Sequence, residues 1–566
     1  MGSATRSSPR SSRWQRCDVR EQLDLRLLPA AVVCWAAAAI ALISAASAWR
    51  TTAGLAAVAV GAVVLRRRDS RPVAQTVCLV LAAATGLGAG VAGSVAVRVH
   101  DRERAPIAAF DGAGPVRVLL EVDEWPRQRS GDPGGHLDAS RVLVPATALA
   151  VRTHEAIPAR GEVLLLGTTH DLGALVPGER IAIRATVLRS TRPGLVAAVL
   201  VGAGEPTVLG RAPPYFRAAA AVRRALAAVA ADALPVDAAG LLPALVLGDE
   251  SSTLPTVRGD FQDAGLTHLT AVSGANFAII ALCVLGLCAA VGLPLAVRAA
   301  VTTVAIVAFV GLVGPTGSVV RAAVMGLVGV AALALRRGRQ PLVALFAAIV
   351  VLMLVRPALA RDIGFALSVG ATAGLVLWSP VVRDRLVAAR VPDVLAGLLA
   401  VTLVAQVVTL PLVIAFSGRV PVGGVAANLL AGPVIPVVTV AGTLAAVAAP
   451  IVVPVAALAV RATGPELWWV ITVARWCARI GVLDVPGGAG TGLALVVACG
   501  VVGGVWKYGR RGGQRARTRG GGDRGPPGGA SGRDDRRGGA RIRGRRRDGA
   551  AGRRGRRGAG HSDPGR

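Results

Sequence analysis

The 566-residue chain is 53% hydrophobic, with a mean hydropathy of +0.58. Much of that apolar content lies in runs of about 18 to 25 residues, which excludes a single soluble globule and indicates a polytopic membrane protein. The net charge of +30 is unevenly placed: residues 507–566 hold 20 Lys+Arg against 5 Asp+Glu, half of the excess, so it describes a tail rather than the fold.

Residues 1–26 are polar with scattered arginines, and no small-residue cleavage site follows a short apolar core. An uncleaved anchor is expected rather than a signal peptide. Pro29 to Trp49, Thr51 to Leu65 and Val73 to Val97 predict three spans within an N-terminal region, residues 1–97. The basic loop Arg66-Arg67-Arg68-Asp69-Ser70-Arg71 assigns the N-terminus to the cytoplasmic side and residues 98–265 to the extracytoplasmic side.

Residues 98–215 change character, with Pro and Gly punctuation and short apolar or alternating runs. Val116 to Asp123, Arg141 to Val151, Glu162 to Gly167, Glu179 to Arg189 and Leu195 to Val201 predict five strands, for which a small β-barrel of the OB-fold type is the leading expectation. An OB-fold raises a nucleic-acid reading, but this block holds 14 Arg against 13 Asp+Glu, and its aromatics are Phe110, Trp125 and Tyr215. Without an electrostatic footprint, a structural or gating cap is favoured over a binding surface.

In residues 216–265, Phe216 to Leu234 predicts an Ala-rich surface helix or connector, and Gly248 to Ser252 an acidic turn followed by a short amphipathic piece. Residues 266–506 then predict a helical membrane domain: Leu269 to Val291, Leu295 to Val313, Val319 to Leu335, Leu342 to Val355, Ile363 to Val381 and Leu395 to Phe416. Val420 to Val460, interrupted by Pro and Gly, predicts either a broken helix or a re-entrant hairpin, followed by a span. Arg461 to Ile480 predicts an interfacial helix and Gly492 to Trp506 a last span, for about ten to twelve spans in all. The fold class expected is thus an all-α polytopic membrane protein with an inserted small β-domain. Residues 507–566 are too poor in apolar side chains to fold alone and predict a disordered cytoplasmic tail; either a lipid- or nucleic-acid-attracting tail or a reading-frame artefact fits them.

The seven cysteines form no CxxC pair and none lies in residues 98–215, and the six histidines include no HExxH or HxHxDH. Neither a disulfide framework nor a metal site is expected. No P-loop lysine exists, because Lys507 is the sole lysine, so neither ATPase nor nuclease chemistry is indicated and no cofactor is expected. A hydrolase triad built on Ser273 is rejected for want of a G-x-S-x-G elbow. The polar residues that enter apolar segments are therefore candidates for a wet path or its mouth: Asp249, His268, Ser273, Gly274, Asn276, Arg321, Asp362, Ser368, Thr372 and Arg419. In the topology above, His268, Arg321, Asp362 and Arg419 fall near outer helix ends, where arginines around one opening would attract a polyanion. The plainer alternatives are an Arg321–Asp362 structural pair, snorkelling arginines, and small residues for helix packing at Ser273 and Gly274.

Leu247-Gly248-Asp249, Phe261 to Gly265, and Thr267-His268-Leu269-Thr270-Ala271-Val272-Ser273-Gly274 resemble the signature that opens the membrane domain of the ComEC-type competence family. Gly317-Ser318-Val319-Val320-Arg321-Ala322-Ala323-Val324-Met325 and Asp362-Ile363-Gly364-Phe365-Ala366-Leu367-Ser368 with Ala371-Thr372-Ala373-Gly374 are similar to two later patches of that family. The resemblance covers roughly Arg26 to Trp506 and implies a channel in the bacterial inner membrane that imports single-stranded DNA during natural transformation. It also implies membrane lipids, a DNA receptor and a cytoplasmic helicase or motor as partners, and allows a homodimer. Where many members continue Ser-Gly-Leu-His, this chain has Ala275 and Asn276, and where many carry a metallo-β-lactamase-like domain it has the basic tail, so no nuclease is carried over. The readings from other function classes are a small-solute transporter and a non-transporting membrane scaffold.

Overall fold

The computed structural model describes residues 24–128, 141–152, 155–270, 272, 274–335, 340–485 and 488. The chain starts with helices α1 (Leu28–Ala41), α2 (Ala45–Arg68) and α3 (Pro72–Glu103). The single run expected from Pro29 to Trp49 is broken because Ser44 caps α2: its hydroxyl accepts from the Ser47 amide while Ser47 returns the bond. α3 packs against both α1 and α2, and Gly88 permits the close approach, since a Cβ there would lie 2.6 Å from a Val33 methyl.

The inserted domain holds β1 (Pro115–Val122), β2 (Arg127–Gln128), β3 (Arg141–Arg152), β4 (Ala156–Thr168), the short α4 (Thr169–Leu172), β5 (Arg180–Arg189) and β6 (Ala198–Gly210). All five expected strands are present. With the unexpected short β2 they form one six-stranded sheet in the order β1-β5-β6-β4-β3-β2, with β1 also paired to β3. Every pairing is antiparallel except β4 with β6. Alternation puts Val118, Leu120 and Val122 of β1 into an apolar core shared with Val144, Leu165, Ile181, Ile183 and Leu200.

Then follow α5 (Pro214–Ala233), α6 (Val236–Leu247), α7 (Pro255–Asp263), α8 (Thr267–Thr270), α9 (Gly274–Ala290), α10 (Leu295–Val313), α11 (Gly317–Ala334), α12 (Pro341–Val355), α13 (Ile363–Ala388) and α14 (Asp393–Ser417). Strand β7 (Arg419–Pro421) precedes α15 (Gly424–Ala431), α16 (Ile435–Ala448), α17 (Val453–Ala462) and α18 (Gly464–Ala478), and β8 (Val482–Asp484) pairs with β7. One core joins α5 to α8 with α15 to α18, another α9 to α11, and a third α1 and α3 with α12 and α13.

Among the described residues six helices, α2, α3, α10, α11, α13 and α14, are long and apolar enough to cross a membrane, or seven if α15 and α16 count as one span bent by 55°. Five more apolar helices, including α1, α9 and α12, are 10 to 17 residues long. The expected ten to twelve therefore counted short helices as full spans, and the expected last span, Gly492 to Trp506, lies outside the described residues. The Val420 to Val460 stretch holds α15 and α16, bent by 55° at a short break that fits a broken helix and a re-entrant hairpin alike, followed by the separate α17, which begins beyond Pro450 with Pro454 in its first turn.

Candidate functional site at the junction of sheet and helices

A cavity of about 610 Å³ lies between the inserted domain and the helices. Its walls come from the β1–β2 link, α5, the turn after α6, the α10–α11 loop and the start of α13. α6 can end in a tight turn because Gly248 adopts φ +67°, a left-handed cap that favours glycine. This presents Asp249 to Arg223 of α5, with the guanidinium 3.2 Å from the carboxylate. Arg223 is buried and also donates to the carbonyls of Leu247 and Leu312 at 3.3 and 3.1 Å. Burial pulls its pKa below the ordinary guanidinium range, opposed by Asp249.

The floor is formed where α11 and α13 start. Asp362 caps α13, accepting from the Phe365 amide at 2.5 Å, and Gly317 of α11 lies so close that a Cβ there would sit 2.7 Å from the Asp362 carboxylate. Ser318 donates to the Val272 carbonyl at 3.2 Å, tying α11 to the segment just before α9. Arg356, from the α12–α13 link, donates to the Pro315 carbonyl at 2.7 Å and pairs with Glu124 at 2.5 Å.

One turn beyond the cavity on each helix, about 5.4 Å deeper, stand Arg321, four residues after Gly317, and Ser368, four after Gly364. Arg321 is 6% exposed, its Nε donates to the Ser368 hydroxyl at 2.8 Å and its Nη1 contacts the Met325 sulfur at 3.2 Å. Among the described residues no carboxylate stands within ion-pair distance of it, so the alternative Arg321–Asp362 pair does not form. Gly274 leaves room for the same guanidinium, since a Cβ there would meet it at 3.1 Å. Thr372, a further turn down α13, donates back to the Ser368 carbonyl.

The other candidates lie elsewhere. Asn276 is buried, donating to the Leu245 carbonyl at 3.2 Å and accepting from Thr439, and so links α9 to α6 and α16. Arg419 pairs with Asp263 at 3.2 Å and Asp484 at 3.7 Å beside a separate recess of about 760 Å³. His268 is accessible to water yet crowded by protein, facing Asn428 and the Gly265 carbonyl. That crowding holds its pKa below the ordinary histidine range, against both hydrogen bonds. His268 and Arg419 therefore do not line the cavity that Asp249 and Asp362 line. Ser273 lies outside the described residues.

Sequence reasoning passed over Arg223 and Trp125. A signal for Arg223 existed, because it shares the buried stripe of α5 with Ala220, Leu226 and Ala230, where an arginine needs a partner. Nothing local marked Trp125, whose partners are distant in sequence. Motif spacing also missed an exposed group on the inserted domain, His170, Asp171 and Glu205, whose ligand-type atoms lie within 4.8 Å of one another.

Compared with known proteins, residues 245–510 match the family model described as "Competence protein". The chain is similar to the "ComE operon protein 3" of Bacillus subtilis (strain 168), 27% identical over 200 residues, which are 35% of this chain and 25% of that relative. The match thus spans about a quarter of the relative's length. The family match starts beside Leu247-Gly248-Asp249 and does not take in the inserted domain. No solved structure matches.

Proposed function

We propose, for a chain whose residues 245–510 match the competence-protein family, that it is a ComEC-type protein serving DNA uptake by passing single-stranded DNA across the inner membrane. The observation that carries this reading is Arg321, a buried guanidinium with no carboxylate in ion-pair distance among the described residues, one turn beneath a cavity. Such a cation is costly in hydrocarbon unless an anion reaches it. A phosphodiester is an anion that guanidinium binds well, through short charge-assisted hydrogen bonds. A strand with one charge per phosphate also needs a wet, polar path, and Gly317, Ser318, Arg321, Ser368 and Thr372 form a stepped polar face down α11 and α13.

The orientation follows from arginine placement. The Arg66–Arg71 loop and the Arg383–Arg385 end of α13 are cytoplasmic, which leaves the start of α13 and residues 98–265 outside and opens the cavity to the exterior. We take the inserted domain as an OB-like cap, a reading supported by the pairing of β1 with both β5 and β3 and by the parallel β4–β6 pair, although the strand order ends in β2 and the sheet is not a closed barrel. Membrane lipid covers the uncovered apolar faces of α2 and α14, and a DNA receptor outside and a motor inside complete the system. A small-solute transporter would be favoured by two broken helices in matching positions. Among the described residues one bent pair, α15 and α16, is present.

Deleting the gene and scoring labelled DNA in the cytoplasm separately from DNA at the cell surface tests the reading. Loss of the cytoplasmic label with the surface label kept is expected. An unchanged cytoplasmic label contradicts it.

A further inference from the structure

Trp125 belongs to the inserted domain by sequence, yet it is absent from that domain's apolar core and is buried instead among groups of the helices. Its Nε1 donates to the Gly311 carbonyl of α10 at 3.4 Å, the Arg223 guanidinium lies over its ring at 4.5 Å, and Phe216 meets it edge-on at 6.3 Å. Gly314, at φ +101°, makes room for the ring, because a Cβ there would stand 2.9 Å from Trp125 Cδ1. The residues on either side reach the same walls. Glu124 pairs with Arg356 at 2.5 Å, and Gln128 donates to the Ser251 carbonyl at 3.3 Å.

We infer that Glu124 to Gln128 form a plug seated in the cavity, with Trp125 its tip and Arg223 its seat, and that a polyanion passes only when the plug withdraws. The inference rests on reading the cavity as the channel entrance. The plug's attachments to the helices suit a reversible device, since they are a few polar contacts and one cation–π contact, while the pairing of Arg127 and Gln128, as β2, with β3 keeps it on the inserted domain. Glu124 also suggests what releases it. Its two carboxylate oxygens hold Arg356 and Arg127, positions that phosphate oxygens of an arriving strand compete for. Once Arg356 turns to phosphate, Glu124 loses its tie to the helices, and Arg127 within the plug is drawn the same way.

The test fastens the plug through residues at its edge. In a Gln128→Cys/Ser251→Cys variant, a short bis-methanethiosulfonate should bridge the two thiols, with each single variant as control for the chain's own cysteines. Import of labelled single-stranded DNA should then fall to the level of the deletion strain and recover when reductant cleaves the bridge. Import that survives the bridge overturns the plug alone, and so does failure of the two thiols to be bridged. Absence of import by the unbridged parent overturns the reading of the cavity, and the plug with it.

Discussion

The Arg223 guanidinium stands 3.2 Å from the Asp249 carboxylate, with their side chains only 8% and 19% exposed. The pair joins α5 to the turn after α6, and through the Leu312 carbonyl to α10. Removing one partner of a buried pair leaves the other charge uncompensated, so Arg223→Met should destabilise the protein by on the order of 3 kcal/mol. Adding Asp249→Asn should recover part of that loss. Thermal unfolding of the detergent-solubilised protein checks both, and a double variant no better than the single one contradicts the pairing.

Gly317 and Gly329 lie on the same helix with opposite surroundings. A Cβ at Gly317 would stand 2.7 Å from the carboxylate that caps α13, whereas nothing lies within 4 Å of one at Gly329. Gly317→Ala should cost about 1 to 3 kcal/mol through a displaced cap and overpacking. Gly329→Ala should be neutral or gain up to about 1 kcal/mol. Equal melting shifts for the two variants would show that Gly317 is not a close contact.

His268 carries a pH dependence whose sign is fixed by its lowered pKa. Above the unfolded value of about 6.5 the ring is neutral in both states and contributes nothing. As pH falls below that value the unfolded chain takes up the proton more readily than the folded one, so stability drops. The loss should continue until pH passes below the folded pKa. His268→Gln should therefore flatten the fall in melting temperature between pH 7.5 and pH 5. A variant with the same slope as the parent would assign the dependence to other groups.

The strands and most helix positions were legible because their signals are local. Residues 295–313 form α10 as expected, since an apolar run bounded by Pro294 and Gly314 leaves little choice of ends. The five strands followed from alternation between Pro and Gly breaks. The division of α1 from α2 turned on the Ser44–Ser47 capping box inside an apolar run, a signal weaker than hydropathy. The site was legible in part. Asp249, Asp362, Arg321, Ser368 and Thr372 stood out as polar residues in apolar surroundings and Gly274 as a small one among them, and they line the cavity or stand just beneath it. His268 and Arg419 stood out for the same reason but meet Asn428 and Asp263 instead. Polarity in an apolar run marks a constrained residue, and only the packing decides which cavity it serves. Trp125 is the converse case, since its contacts with Gly311 and Arg223 span 186 and 98 positions of sequence.

In the proposed channel, Arg321 receives phosphate from a passing strand. Arg321→Met keeps the length and apolar stem of the side chain but removes the charge, and Arg321→Lys keeps a charge without the fork. A charge-assisted hydrogen bond is worth about 1.5 to 3 kcal/mol, so Arg321→Met should lower the rate of cytoplasmic DNA accumulation by about tenfold or more. Membrane levels and surface-bound DNA should stay at those of the parent, and Arg321→Lys should fall between. Cytoplasmic accumulation at the parental rate in Arg321→Met, at equal protein level, would contradict the claim.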